Sequence, residues 1–182
     1  KLNESNIAVR SFTEGFTRVV IYPTRSLSAV EEKEISEEEK IAEAQRARKI
    51  NFAAMRAMDS CKKRGQAILV FPSGTRYRPG KPETKRGLRE IDSYLRLFDC
   101  MILVSVNGNC LRINPENPDD MLADIVEQDV ITLTASPVIN CKEFRNEVLS
   151  ALPEDEEKQK KKTVDKVMEI LEDIHNQVEK KW

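Results

Sequence analysis

No apolar run in this 182-residue chain approaches the roughly 20 residues that a spanning helix needs, so no transmembrane helix is expected. Lys1-Leu2-Asn3-Glu4 has no apolar core behind it, which argues against a signal peptide. Histidine occurs once, and the four cysteines, at 61, 100, 110 and 141, have no C-x-x-C spacing. That argues against a zinc site and leaves reduced cytosolic thiols as the default expectation. An excess of one charge is missing too: 30 Lys and Arg face 31 Asp and Glu, for a net charge of −1. This argues against a polycation that holds nucleic acid by bulk charge. Neither a Walker loop (G-x-x-x-x-G-K-[ST]) nor a dinucleotide fingerprint (G-x-G-x-x-G) is present.

What is present is a globular composition, 40% hydrophobic and 34% charged, with length enough for one domain and a sizeable core. A start on lysine without a methionine marks the chain, as an expectation, as a piece of something longer.

Several short runs read as strands. Thr17–Tyr22 is β-branched and aromatic and ends at Pro23. Ala67–Phe71, opened by Gly65 and closed by Pro72, reads as a buried strand, as do Met101–Val106 and Val130–Thr134. Between them lie helical patterns. Ser36 with Glu39 forms a capping box, Gly65 is placed to end that helix, and Ile41, Ala44, Ala47, Asn51, Met55 and Met58 share a face broken only by Asn51. Leu88, Ile91, Leu95 and Phe98 mark a second helix, and Asn140 with Glu143 caps a third lined by Phe144, Val148 and Leu152. After Pro153, Val164, Val167, Leu171, Ile174 and Val178 recur along a Glu/Lys-rich amphipathic helix. Alternating strands and helices predict an α/β fold with a largely parallel core sheet flanked by helices, covering residues 1–152, followed by the amphipathic helix of 153–182.

The informative chemistry follows Phe71. From Lys62 to Arg89 there are nine Lys or Arg against one acid, Glu83. In Phe71-Pro72-Ser73-Gly74-Thr75-Arg76, glycine lets backbone approach a ligand, the Ser73 and Thr75 hydroxyls can donate to oxyanions, and Arg76 supplies fixed charge. With Arg78, Lys81, Lys85 and Arg86 close in sequence, the stretch fits a phosphate or carboxylate site at a strand end. The competing reading is an ordinary exposed basic turn.

This block resembles the F-P-E-G-T-R-S signature of the glycerolphosphate acyltransferases, and Lys85-Arg86-Gly87 is similar to the family's later K-x-G. The likeness covers residues 1 to 113. It implies acyl transfer from acyl-CoA or acyl-carrier-protein to glycerol phosphate or to its monoacyl form, lysophosphatidic acid, with no cofactor besides that thioester co-substrate. Ser73, Gly74, Thr75, Arg76, Lys85 and Arg86 are the implied substrate-binding residues, with Arg76 on the acceptor phosphate. Ser73 stands where the family has Glu, Tyr77 where it has Ser, and Leu103-Val104-Ser105-Val106 lacks the proline of the family's V-P-V block.

The family's catalytic His-x4-Asp motif, N-terminal to this block, is absent. The sole histidine, His175, sits on the C-terminal amphipathic pattern and has no aspartate at the required spacing. Catalytic residues are therefore expected outside this stretch, with metal ligands nowhere in it. Two explanations stand: the chain starts downstream of the motif, or it is a relative that binds without catalysing.

A cytoplasmic protein, or one peripheral to the cytoplasmic face of a membrane, is the expected setting for an enzyme with lipid products. The alternatives are a non-catalytic module for anionic headgroups or nucleic acid, and a partner-binding protein using Glu31–Glu39 and the last helix. Nucleic acid is disfavoured, because Tyr77 is the sole aromatic within the basic loop.

Overall fold

The computed structural model describes residues 11, 14–22, 36–150 and 156–179. It divides into two compact units, Lys1–Val70 and Phe71–Trp182.

The first unit is built on helix α1 (Glu37–Lys63). Its start is the capping box expected from the sequence: the Glu39 amide donates to Ser36 Oγ at 3.3 Å and the Ser36 amide to Glu39 Oε2 at 3.0 Å. Arg64 caps the other end, and Gly65 follows at φ +69°. Ala47, Ala54, Met58 and Cys61 are buried, whereas Ile41 stays 58% exposed. Asn51, the polar break in the apolar face, clamps a neighbouring segment. Its Oδ1 accepts from the Tyr22 amide at 2.8 Å and its Nδ2 donates to the Tyr22 carbonyl at 2.9 Å. The Tyr22 hydroxyl donates to Glu43 Oε1 at 2.7 Å. Thr17–Tyr22 therefore leans on a helix, and it forms no strand. The turn expected at Pro23–Ser26 and the acidic run up to residue 35 lie outside the described residues.

The second unit places α2 (Glu90–Leu97), α3 (Cys141–Leu149) and α4 (Glu156–Glu179) around an interrupted antiparallel ribbon. The ribbon pairs β1 (Cys100–Met101) with β6 (Ile139–Asn140), β2 (Val104–Asn107) with β5 (Thr132–Ala135), and β3 (Leu111–Arg112) with β4 (Ile125–Val126). Between the paired stretches the Ser136 amide donates to Leu103 O at 2.8 Å and the Glu127 amide to Cys110 O at 2.9 Å. The core is Ile91 and Leu95 of α2, Leu103, Cys141 and Phe144 at α3, and Val164 and Val167 of α4. Asn140 caps α3 as expected, accepting from the amides of Lys142 and Glu143 at 3.0 Å each. The final amphipathic helix is present.

The largely parallel core sheet is not formed: among the described residues every strand pairing is antiparallel and short. Ala67–Phe71, expected as a buried strand, has no strand partner among the described residues, and Leu69 and Phe71 are exposed. A strand of a parallel sheet is covered on both faces and reads as a continuous apolar run. Val104-Ser105-Val106-Asn107 alternates instead, and only one face is covered. The covered face is the polar one, because α4 presents hydrogen-bonding groups to it. Asn107 Nδ2 donates to His175 O at 3.1 Å and to Glu179 Oε1 at 3.0 Å. Ser105 and Asn107 are consequently buried, and Val104 and Val106 face outward.

Candidate functional site

The basic loop after Phe71 is closed at its neck, where the Leu88 amide donates to Pro72 O at 2.8 Å. Its first turn is tight. The Gly74 amide donates to Phe71 O at 2.9 Å with φ at +62°, a left-handed conformation that glycine adopts without the Cβ penalty. Ser73 Oγ donates to Thr75 O at 2.7 Å, so its hydroxyl proton serves the turn. Gly87 ends the loop against α4: a Cβ there would lie 2.4 Å from Val164 Cγ1. Any larger residue would push loop and helix apart, which gives Lys85-Arg86-Gly87 a packing reason for its glycine.

Arg76 leaves the turn to meet the far side of the ribbon. Its Nη1 donates to Leu111 O at 3.1 Å and its Nη2 pairs with Asp124 Oδ2. Arg78 reaches the same carboxylate, with Nη1 and Nη2 at 3.4 and 3.3 Å from Oδ2 and Oδ1, and its Nη2 also donates to Pro118 O. Its backbone is held through the Arg78 amide, which donates to Thr84 Oγ1 at 3.0 Å. Two guanidinium groups thus converge on Asp124. The Arg78 and Asp124 side chains are almost wholly buried (5% and 2% exposed), while Arg76 keeps 33% of its side chain in solvent. Burial works to raise the Asp124 carboxyl, but hydrogen bonds and charge from Arg78 and Arg76 outweigh it and hold the group below the ordinary 3.8. Asp124 is delivered by a short 3₁₀ turn (Met121–Ala123), capped where Asp120 Oδ1 accepts from the Leu122 amide at 2.9 Å.

The other sequence-predicted residues go elsewhere. Lys85 ends a 3₁₀ turn (Pro82–Lys85), pairs with Glu172 of α4 and stands 5.6 Å over the Tyr77 ring. Lys85 and Arg86 line an open cleft of about 310 Å³ with Asp165, Glu169 and Glu172, whose wall includes none of residues 73–76. The structure groups Ser73, Gly74, Thr75 and Arg76 in one turn, while Lys85 and Arg86 line the cleft against α4. Lys81 pairs with Asp119, which lowers that carboxyl through hydrogen bond and charge.

Sequence reasoning counted Arg78 with the basic stretch but not among the substrate-binding residues, and it passed over Asp124. The first was legible in principle: residues two apart on a non-helical stretch can reach the same side. Asp124, 46 residues or more away from both arginines, carried no local signal.

His175 lies on α4 with Nε2 3.7 Å from Glu179 Oε1. No cluster of His, Cys, Asp or Glu among the described residues could hold a metal ion, and no described helix is long and apolar enough to cross a membrane.

The arrangement is a buried carboxylate shared by two guanidiniums at the mouth of a basic loop. Comparison with protein-family models, with curated proteins and with solved structures finds no match to this chain.

Proposed function

We propose that Phe71–Arg76, together with Arg78, forms the acceptor-phosphate half of a glycerolphosphate O-acyltransferase. The full reaction would carry an acyl group from acyl-CoA or acyl-carrier-protein to glycerol phosphate or its monoacyl form, at a cytoplasmic membrane surface. The observation that carries the reading is the convergence of Arg76 and Arg78 on one point behind a turn that resembles the family signature. Paired guanidiniums match the bidentate geometry of a phosphate, and a partly exposed Arg76 gives a ligand access. The chain's part is binding and orientation. Attack on a thioester requires a base to take the acceptor hydroxyl's proton, and that base would come from a separate segment or subunit.

Titration calorimetry with sn-glycerol 3-phosphate tests the reading. Arg76→Ala is expected to weaken binding about tenfold to a hundredfold, the worth of one charge-assisted hydrogen bond. In a longer protein carrying the His-x4-Asp motif, the same change should raise the acceptor's Michaelis constant and leave the thioester's unmoved.

A second reading has its own support. Arg76, Lys81 and Lys85 are each already paired with an acid of the chain, as an ion-pair frame that only closes the loop would have them. Equal phosphate affinity in wild type and Arg76→Ala, alongside a lower melting temperature for the variant, would establish that frame and remove the acyltransferase reading.

A further inference from the structure

We infer that Asp124 is an internal counter-ion which a ligand's anionic group displaces, and that it thereby selects dianionic tetrahedral oxyanions over carboxylates. The inference rests on the anion-site reading above and adds the regulation and selectivity of that site.

Asp124 already gives the two guanidiniums what a free carboxylate could offer, one negative charge and two oxygens. Being tethered, it does so at an effective concentration on the order of millimolar, so a dilute monocarboxylate gains nothing by replacing it. A phosphate dianion differs in kind, because it brings a second charge and a third acceptor oxygen. The structure holds a donor to match: Arg78 Nε is buried and makes no hydrogen bond. A buried donor left without an acceptor is costly, which favours the ligand that can supply one.

Displacement also needs a carboxylate that can leave. Asp124 belongs to a stretch with shallow packing: Met121, Leu122 and Ile125 around it are 43%, 57% and 45% exposed. Moving it gives up its three contacts with the two guanidiniums and little buried apolar surface, the profile of a segment that opens locally. Arg76, the more exposed of the pair, is the point of entry.

The probes are inorganic phosphate and acetate, titrated calorimetrically at about pH 8, where phosphate is largely doubly charged. Wild type is expected to bind phosphate and ignore acetate. Asp124→Asn keeps the side chain's shape and removes its charge, so phosphate binding should tighten about tenfold or more, and acetate should begin to bind. Unchanged or weaker phosphate binding in a folded Asp124→Asn would mean that Asp124 only positions the arginines, and would overturn the inference.

Hydrogen exchange on the wild-type protein needs no variant. Saturating phosphate should speed exchange of the amides around 119–127, and protection there that stays the same or rises also overturns it. Phosphate binding that survives Arg76→Ala in both backgrounds would place the anion elsewhere, removing the site reading and this inference together. Binding that is lost in Arg76→Ala, yet no tighter in Asp124→Asn, removes the inference alone.

Discussion

Asp92 shows what a buried carboxylate does when it serves packing alone. Its side chain is 1% exposed on the inner side of α2, with Arg96 Nε at 2.8 Å from Oδ2 and Arg145 Nε at 3.1 Å from Oδ1. The first contact lies within α2, while the second ties α2 to α3, so one residue fixes the spacing of two helices. Removing Asp92 leaves Arg145, 17% exposed, charged and poorly solvated, while Arg96, 44% exposed, keeps water, so the loss is about 2 kcal/mol. Asp92→Ala should therefore lower the unfolding free energy from urea titration by about that much, measured against a conservative exposed change such as Glu116→Gln. A loss below about 1 kcal/mol would show that Arg145 finds water as well. Asp124 differs from Asp92 in its surroundings. Both are buried and doubly paired, but Asp92 sits between helices beside the core residue Ile91, and Asp124 in a loop of exposed neighbours. Arg76 stands out in the sequence because its chemistry lies within a six-residue block. Asp124 does not, because its partners are fixed by the return path of the chain.

At the level of elements, local signals carried and pairing signals failed. The capping box at Ser36 and Glu39 and the cap at Asn140 both form, because each needs only three or four residues in sequence to agree. The apolar stripes of α2 and α4 bury Ile91, Leu95, Val164 and Val167 where the periodicity puts them. Met101–Val106 and Val130–Thr134 do overlap paired strands, β2 and β5, but the parallel pairing and the strand at Ala67–Phe71 failed for a different reason. A run such as Ala67–Phe71 has strand composition, but only a partner elsewhere in the chain makes it a strand, and none is paired to it among the described residues. Met101–Val106 reads from sequence as a buried strand, yet in β2 hydrogen bonds from Asn107 to α4 turn the polar side inward and leave the valines exposed. Because the α1 start is set locally, Ser36→Ala should cost about 1 kcal/mol of stability and lower helical content by circular dichroism. Ser36→Asp retains an acceptor for the Glu39 amide and should restore most of it. No loss with alanine would mean that packing around Tyr22 and Asn51 alone determines where α1 begins.

Across the whole molecule the charges nearly cancel, at 30 basic against 31 acidic residues, so acid affects stability in two separable ways. One is local. Asp119, Asp124 and Asp129 all lie on the return limb of the ribbon, and all three have carboxyls held below 3.8. At Asp119 the cause is Lys81. At Asp124 the two arginines prevail over burial, and at Asp129 the amides of Asn109 and Val130 donate at 2.7 and 2.8 Å. A folded pKa below the unfolded one means that the unfolded chain binds more protons as pH falls through this range. Their stabilisation is therefore complete above the unfolded value and is lost as pH drops below about 3.8 toward the folded values. The other effect is global: once the acids are neutralised, the basic residues repel one another, and added salt screens that repulsion. Urea unfolding at about pH 7 and about pH 3, each at low salt and about 1 M salt, separates them, since the screening length shrinks to about 3 Å at the higher concentration. Stability at acid pH should recover only partly with salt, because the buried Asp124 pair is screened far less than the surface. In Asp124→Asn the unrecovered part should shrink. Full recovery in wild type would mean that acid unfolding is surface repulsion alone and that the ion pairs of the basic loop add nothing to the fold.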